Sequence, residues 1–395
     1  MPGTLDIQEA HSARDLSAVI LFPWQLYRDD PCWVPPVVAD RLARFDPAKN
    51  PMLRHGQAQA FIARRDGRMV GTVAVAIDYE LNRLIREPFA SVGFFECIND
   101  YAAAEALLRT ACDWARRCHA PTLRGPYNFT PNDEPGLLVE GRDRPPVLLC
   151  AHTQPYYLDF FDRFGFHKWG PDEFCYGLSV ADYVPDLSNL PPKLLRVVEA
   201  VRKRSGAVVR PLRPSEWDRE LDLAHALYNK SLAVLPDFTP LDADEFRRQG
   251  EAMRPLMDPD LALFVEIDGK PVGFVLALPD INEALLHCNG LRYPWNYIQL
   301  WWHSRRLSGM SFKIVALDPD YWGRGLDALM YFELAKSTVR KGFRWIDMSL
   351  TGEDNPQTNK LATLFDARVY KRYRIFELKL SSEVKMPPTE TGEKT

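Results

Sequence analysis

The fold is decided by the stretch SFKIVALDPDYWGRGLD, at residues 311–327. The apolar run 311–317 predicts a buried strand, and Asp318 and Pro319 end it. Gly323 and Gly325 then predict a turn, after which a helix runs over 326–340. A strand, a glycine turn and a helix N-terminus present unpaired backbone N–H groups to an anion. We therefore predict that this turn binds a diphosphate.

The elements around this stretch keep a recognisable order. A β-hairpin over 261–278 precedes it, and a strand over 345–350, a helix over 356–365 and a strand over 369–380 follow. This order resembles the GCN5-related N-acetyltransferase (GNAT) superfamily, whose acyl-CoA pyrophosphate site lies between the fourth strand and the third helix. The resemblance covers about residues 207–380. It implies an α+β fold with a mixed sheet, acyl-CoA or acetyl-CoA as co-substrate, and no metal.

The resemblance also implies which residues bind coenzyme A: Leu317, Trp322, Gly323, Arg324, Gly325, Leu326 and Asn355. Two positions depart from the family pattern, because Trp322 replaces a Gln or Arg and Asp327 replaces a Gly or Ala. A carboxylate in the first helical turn suits the helix dipole but repels a bound diphosphate. A turn with a purely structural role is therefore the alternative.

A repeat extends the prediction to the whole chain. Residues 66–71 (DGRMVG) recur as 268–273 (DGKPVG), each between two alternating apolar strands, which predicts two hairpins with an Asp-Gly turn. We therefore predict two tandem GNAT-like domains, at 1–183 and 207–380. The N-terminal copy has no glycine after its strand 92–98 and so lacks the pyrophosphate loop. Prolines predict a linker at 184–206, and the polar composition predicts a disordered tail at 381–395.

Composition limits the class of protein. The net charge is −4, and there is no basic stripe, so nucleic acid is not an expected partner and transfer from aminoacyl-tRNA is disfavoured. Seven scattered cysteines without a CxxC pair predict free thiols in a reducing compartment. No signal peptide or membrane span is evident, and we expect a cytoplasmic protein.

An insertion at 125–138 concentrates amides and carboxylates where the predicted fold opens toward its acceptor. Glu134, beside two leucines, is the leading candidate base, and Glu96 on the predicted strand competes with it. The predicted catalytic residues are Glu134, Glu96, Asp133, Asn132 and Tyr156. For the insertion residues, the alternative is that their side chains cap turns.

The segments 94–96, 125–138 and 155–157 resemble a group of bacterial tandem GNAT-like proteins, near which bacterial ceramide synthases are placed. The resemblance implies N-acyl transfer to a small-molecule or lipid amine, such as a sphingoid-type amine. A non-catalytic protein that binds acyl-CoA or lipid is the alternative.

A second insertion, at 285–307, is rich in Trp, Tyr and Arg. Such a composition suits contact with acyl chains or peripheral contact of 291–307 with the inner membrane face. The alternative is that these aromatic residues cover the other domain.

Overall fold

The computed structural model describes residues 3–85, 87–131, 133–234, 241 and 243–380. Asn132 and the predicted disordered tail at 381–395 lie outside the described residues. The strands are β1 Leu5–Ala10, β2 Gly56–Arg65, β3 Arg68–Asp78, β4 Ala90–Cys97, β5 Thr122–Gly125, β6 Leu137–Glu140, β7 His167–Lys168, β8 Glu173–Ser179, β9 Val208–Pro211, β10 Ala262–Ile267, β11 Lys270–Pro279, β12 Gly309–Leu317, β13 Trp345–Gly352, β14 Arg368–Arg374 and β15 Phe376–Lys379. The α-helices are α1 Ala13–Leu21, α2 Pro23–Leu26, α3 Val38–Ala43, α4 Tyr79–Ile85, α5 Tyr101–Arg117, α6 Tyr157–Phe164, α7 Pro192–Ser205, α8 Trp217–Leu232, α9 Ala243–Met253, α10 Asn282–Leu285, α11 Pro294–His303, α12 Leu326–Arg340 and α13 Pro356–Leu364.

The strands form two mixed sheets. The first sheet has the order β1-β2-β3-β4-β5-β15-β7, and the second has the order β6-β14-β8-β13-β12-β11-β10-β9. The repeated hairpins are β2-β3 and β10-β11, and both turns use the same left-handed Asp-Gly pair, with φ of 50° and 75° in the first and 52° and 74° in the second. The predicted duplication is therefore visible in the local backbone.

Each sheet takes an internal strand from the other half of the chain, and the second sheet also takes β6 at its edge. In the first sheet, β15 from the C-terminal end of the chain lies between β5 and β7. In the second sheet, β8 lies at the equivalent place between β13 and β14. The strand predicted over 369–380 is consequently two strands, which separate at Ile375 and enter different sheets. Neither sheet coincides with the predicted ranges 1–183 and 207–380.

Buried ion pairs accompany the exchanged strands. Glu377 on β15 accepts hydrogen bonds from Arg124 on β5, the shorter at 2.7 Å, and both side chains are at most 10% exposed. On the second sheet, Arg374 of β14 donates to both carboxylate oxygens of Asp172, at 2.9 and 2.8 Å. Since a buried charge without its partner is costly, these pairs help to specify which strand fills each gap.

Each sheet packs on its own hydrophobic core. The core of the first sheet lies under α5 and α6, and the core of the second lies under α12 and α7. The predicted linker at 184–206 contains α7, whose Leu194, Val198 and Val201 are buried in the second core. The prolines at 191 and 192 begin this helix, since proline is favoured at the first helical position.

Candidate functional site

An opening separates two central strands of the second sheet. The parallel strands β12 and β13 pair from Gly309 with Trp345 to Phe312 with Met348, and there the pairing stops. Beyond that point residues 313–315 and 348–350 are partly exposed, although they lie in the middle of the sheet. The two strands therefore enclose a V-shaped gap that reaches the interior of the sheet.

The equivalent gap in the first sheet is filled by the protein itself. The parallel pairing of β4 and β5 starts at Ala90 with Leu123 and ends at Ser91 with Arg124. The loop that follows β5 then enters, with Tyr127 N–H donating to Val92 O at 2.7 Å and Phe94 N–H donating to the Asn128 side chain at 2.9 Å. A Cβ on Gly93 would lie 1.7 Å from Tyr127 O. This gap has no room for a ligand.

The N-terminus of α5, the helix that follows β4, is also occupied. The Asp100 carboxylate accepts hydrogen bonds from Ala102 and Ala103 N–H at the start of α5, and it pairs with Arg65 at 2.5 Å. An anion would therefore meet a carboxylate in place of free amides. The N-terminal copy thus lacks a pyrophosphate loop, as predicted.

The turn before α12 differs. Gly323 and Gly325 have φ of 72° and 79°. Residues 322–323 form a hydrogen-bonded turn that engages a backbone N–H within 324–327, and no other hydrogen bond from the N–H groups of 323–327 is found within the described part of the chain. A Cβ on Gly323 would meet nothing within 4 Å, so its outer side is open, whereas one on Gly325 would lie 2.7 Å from the Val201 side chain. Several amides of this turn are thus available to an anion.

The side chains of the turn are used within the turn. The Trp322 indole N–H donates to Leu317 O at 2.9 Å and so fixes the turn to the end of β12. The Arg324 guanidinium donates to Asp320 O and stacks on Tyr321. The Asp327 carboxylate accepts from Ala328 N–H at 2.9 Å. Asp327 therefore satisfies one amide of the first helical turn and puts a negative charge beside the free ones.

Three other predicted cofactor-binding residues have structural partners. Leu317 N–H donates to Ser231 at 3.1 Å, and Leu326 is fully buried. The Asn355 side chain accepts from Thr358 N–H at 3.2 Å and so caps α13. Their roles in coenzyme A binding stay predictions.

An apolar cleft adjoins the opening between α12 and α13. Its walls include Phe312, Tyr331, Met348, Thr358 and Ala362. The space inside is only about 10 Å³, about the room of one water molecule. The lining is apolar, and the side chains nearly close the cleft.

In the N-terminal half, Glu96 lies in a hydroxyl-lined pocket. Its Oε2 accepts hydrogen bonds from Tyr157 at 2.8 Å and Tyr27 at 3.1 Å. Desolvation raises the pKa of Glu96 to about 7, although the two tyrosines oppose this shift. A carboxylate with such a pKa exchanges protons readily near neutral pH.

The structure places Glu134 in an ion pair. Both of its oxygens accept from Arg41, at 2.5 and 2.6 Å, and Asn128 donates to one of them at 2.8 Å. These bonds occupy both oxygens of the carboxylate. The geometry therefore favours Glu96 over Glu134 as proton acceptor, although neither role is tested.

Other predicted catalytic side chains serve nearby contacts. Asp133 pairs with Arg44 at 2.5 Å, and the Tyr156 hydroxyl donates to Cys97 O at 2.9 Å. Cys97 itself is fully buried, and desolvation raises its pKa to about 12, which does not suit a nucleophilic thiolate. All seven cysteines are free.

Sequence reasoning missed a second buried carboxylate, Asp347 on β13. It is fully buried and accepts hydrogen bonds from three hydroxyls, Ser311 and Ser349 at 2.5 Å each and Tyr370 at 2.8 Å. Tyr370, which donates to Asp347, packs with Cys150, Cys175 and Tyr373 in one small buried cluster. The sequence at 347–349 contains no motif that would have pointed to Asp347.

The start of the second insertion faces an open pocket of about 620 Å³. Its walls include Trp24, Tyr27, Trp33, Leu286, His287 and Arg292. The Trp24 indole N–H donates to Asn289 at 2.7 Å, so residues 286–292 do cover the N-terminal half. Helix α11, in the same insertion, does not: its aromatic side chains are exposed.

Two searches of the described residues are negative. No group of three or more His, Cys, Asp or Glu side chains has an arrangement that holds a metal ion. No helix there is long and apolar enough to cross a membrane.

Comparisons with known proteins agree with this architecture. Protein YghO of Escherichia coli K12 is 30% identical over 370 residues, which cover 92% of both chains. The bacterial ceramide synthase of Caulobacter vibrioides is 28% identical over 384 residues, covering 94% of this chain and 97% of that protein. A solved tandem GNAT protein from the clavulanic acid biosynthesis pathway matches 96% of this chain and all of its own, with a TM-score of 0.58 at 14% identity. No family model matches the chain. The tandem GNAT fold predicted from the sequence is thereby confirmed.

Proposed function

This chain belongs to the family of Escherichia coli protein YghO, and from its tandem GNAT fold we propose that it is an acyl-CoA-dependent N-acyltransferase. The proposed reaction moves an acyl group from a coenzyme A thioester to a primary amine by direct attack. The C-terminal half is proposed to bind the donor, since only its sheet has an open gap followed by a glycine turn among the described residues.

One observation carries the proposal: most of the backbone N–H groups at residues 323–327 have no acceptor among the described residues, and they lie at the N-terminus of a 15-residue helix beside that gap. Such amides bind a diphosphate through hydrogen bonds and the helix dipole. Coenzyme A would then lie along α12, with its reactive end toward β12 and β13.

Glu96 is the proposed general base. The amine loses a proton to a carboxylate, its nitrogen attacks the thioester carbonyl carbon, and the C–S bond breaks to release coenzyme A as the thiol. A pKa of about 7 suits Glu96 to accept that proton. Asp347 is the competing base. It lies on β13 one residue before Met348, where the pairing of β12 and β13 ends and the gap begins.

The proposed acceptor is a long-chain or lipid amine. One full-length relative is named a ceramide synthase, and the open pocket presents Trp24 and Trp33 to solvent-accessible space. Tyr27 links this pocket to Glu96 through a 3.1 Å hydrogen bond. An apolar amine in the pocket would therefore point its polar end toward the base.

The test measures donor binding and turnover separately. Calorimetry with acetyl-CoA and palmitoyl-CoA tests binding, and thiol release with sphinganine or a short amine tests transfer. Gly323→Glu puts a carboxylate at the open side of the turn and should abolish binding. Gly342→Glu is the matched control, because that glycine follows the other end of α12, has φ of 86° and also has open space around it. Absence of binding by the unmodified protein, or equal effects of both variants, would refute the proposal.

A non-catalytic acyl-CoA or lipid-binding protein is the second candidate. The Asp327 carboxylate beside the free amides favours it, and so does Ala362, a buried alanine where many GNAT enzymes carry a tyrosine. This candidate predicts that acyl-CoA binds without thiol release for every amine supplied.

A further inference from the structure

Helix α11 carries a concentrated group of exposed aromatic and apolar side chains. Five residues of this ten-residue helix are each at least 51% exposed: Trp295, Tyr297, Ile298, Trp301 and Trp302. Soluble proteins expose single apolar residues commonly, but a contiguous cluster of this kind marks an interaction surface. Three tryptophans in one solvent-facing helix need a partner.

The helix is nevertheless firmly attached on its inner side. Asn296 is buried and accepts from Tyr293 N–H at 2.9 Å. Leu300 packs on the cluster formed by α10 and Cys288, and His303 stacks on His287 with 4.4 Å between ring centroids. With its inner side held in this way, the helix keeps its aromatic side chains on the outside, where this half of the protein does not bury them. Their exposure is thus a property of the folded chain.

The segment that carries the helix has charges of one sign, with Glu283 against Ser308 and Asp30 in the pocket wall as the neighbouring carboxylates. Residues 284–317 contain no Asp or Glu, in a protein whose net charge is −4. Arg305 lies over the Trp301 ring at 3.5 Å and Arg306 over the Trp302 ring at 4.9 Å. At the other end, Arg292 lies over Trp24 at 5.5 Å. Each end of the helix therefore combines a cation with an aromatic ring.

We propose that α11 docks on an anionic lipid membrane and lies in the plane of its surface. Tryptophan and tyrosine settle at the level of lipid headgroups, because their rings are apolar while their N–H and O–H groups need polar partners. The arginines bind lipid phosphates, and the absence of carboxylates from residues 284–317 limits repulsion from an anionic surface. Amphipathic helices with this composition bind membranes without crossing them.

This docking brings the open pocket to the membrane. Arg292 is part of the pocket wall and lies two positions before the start of α11. Trp24 lies beneath its guanidinium. A lipid amine in the bilayer could then reach Tyr27 and Glu96 without crossing water. This use of the pocket rests on the proposed function, whereas membrane binding by α11 does not.

The experiment is sedimentation of the full-length protein with vesicles of phosphatidylcholine, with and without phosphatidylglycerol, in the absence of any amine or coenzyme A. The protein should bind the phosphatidylglycerol vesicles, and added salt should weaken the binding. Trp301→Ala with Trp302→Ala should lower the partition coefficient by about tenfold or more. Arg305→Gln with Arg306→Gln should lower it by a similar factor of about ten.

Arg83→Gln with Leu84→Ala is the matched control, because these side chains are also exposed but lie on α4. It should bind vesicles like the unmodified protein, and unchanged thermal unfolding should show that all variants are folded. No binding to either vesicle, or binding that the α11 variants leave intact, would overturn the proposal. Self-association that the tryptophan variant abolishes, without vesicle binding, would also overturn it in favour of a second protein copy.

Discussion

Replacement of Glu96 by glutamine should remove a pH dependence of stability that the structure places on this residue. Desolvation raises the pKa of Glu96 from 4.5 to about 7 in the folded protein. The folded state therefore favours the protonated carboxyl, whose stabilising contribution is complete below about pH 4.5 and is lost as the pH rises through about 7. At about 1.4 kcal/mol for each pH unit, this difference corresponds to roughly 3 kcal/mol at most.

Glutamine keeps the size of the side chain and can accept from one tyrosine, but it has no charge to desolvate. We expect the unfolding free energy of Glu96→Gln, relative to the unmodified protein, to be about 2–3 kcal/mol more favourable at pH ~8.5 than at pH ~4. Urea unfolding at the two pH values measures both proteins. Contributions of Glu173 and Asp280, whose pKa burial also raises to about 7, are common to both and cancel in the comparison.

Glu80→Gln is the control, because this glutamate is on the surface. Its difference from the unmodified protein should change little between the two pH values. If Glu96→Gln behaves like this control, to within about 0.5 kcal/mol, then Glu96 is not held in a desolvated, proton-binding state. The argument for Glu96 as a base near neutral pH would fail with it.

Three further outcomes follow from the site and the fold. Asp327→Asn should tighten coenzyme A binding by about 0.3–1 kcal/mol in calorimetry at low salt, since it removes a charge beside the diphosphate, and the gain should shrink at high salt; an unchanged or weaker affinity at low salt would contradict this. Arg124→Met should lower the unfolding free energy by about 3 kcal/mol or more, because it leaves the Glu377 carboxylate buried and unpaired, and a second change, Glu377→Leu, should restore part of the loss. Thiol release should rise with pH through about 7 and lose this dependence in Glu96→Gln, provided that the amine is saturating.

Local features of the fold were predictable because short-range chemistry decides them. The Asp-Gly pairs at 66–67 and 268–269 require left-handed backbone, and both form the predicted hairpin turns. The helix predicted from Leu326 to Arg340 has those bounds in the structure. Strand alternation, by contrast, continues across Ile375, so nothing local indicates that β14 and β15 part there. Which sheet receives each strand depends on partners more than 200 residues away, such as Arg124 for Glu377.

The candidate site was predictable to a similar extent. The glycine turn and Glu96 could be identified from the local sequence, and their roles in binding and catalysis stay predictions. One partner of each carboxylate comes from the first 45 residues, where Tyr27 and Arg41 carry no motif. Those contacts separate two carboxylates that look equivalent in the sequence. One is paired with a cation and the other is desolvated.

The exchange of β8 and β15 has a consequence for biosynthesis. As the chain leaves the ribosome, the first sheet lacks its internal strand until residues 376–379 have been made, long after β5 and β7. Until then β5 and β7 have no strand between them, and the edge of β5 stays unpaired. Expression of either half alone would produce a sheet that lacks one internal strand. We therefore expect the two halves, although they are copies of one unit, to fold together as one cooperative unit.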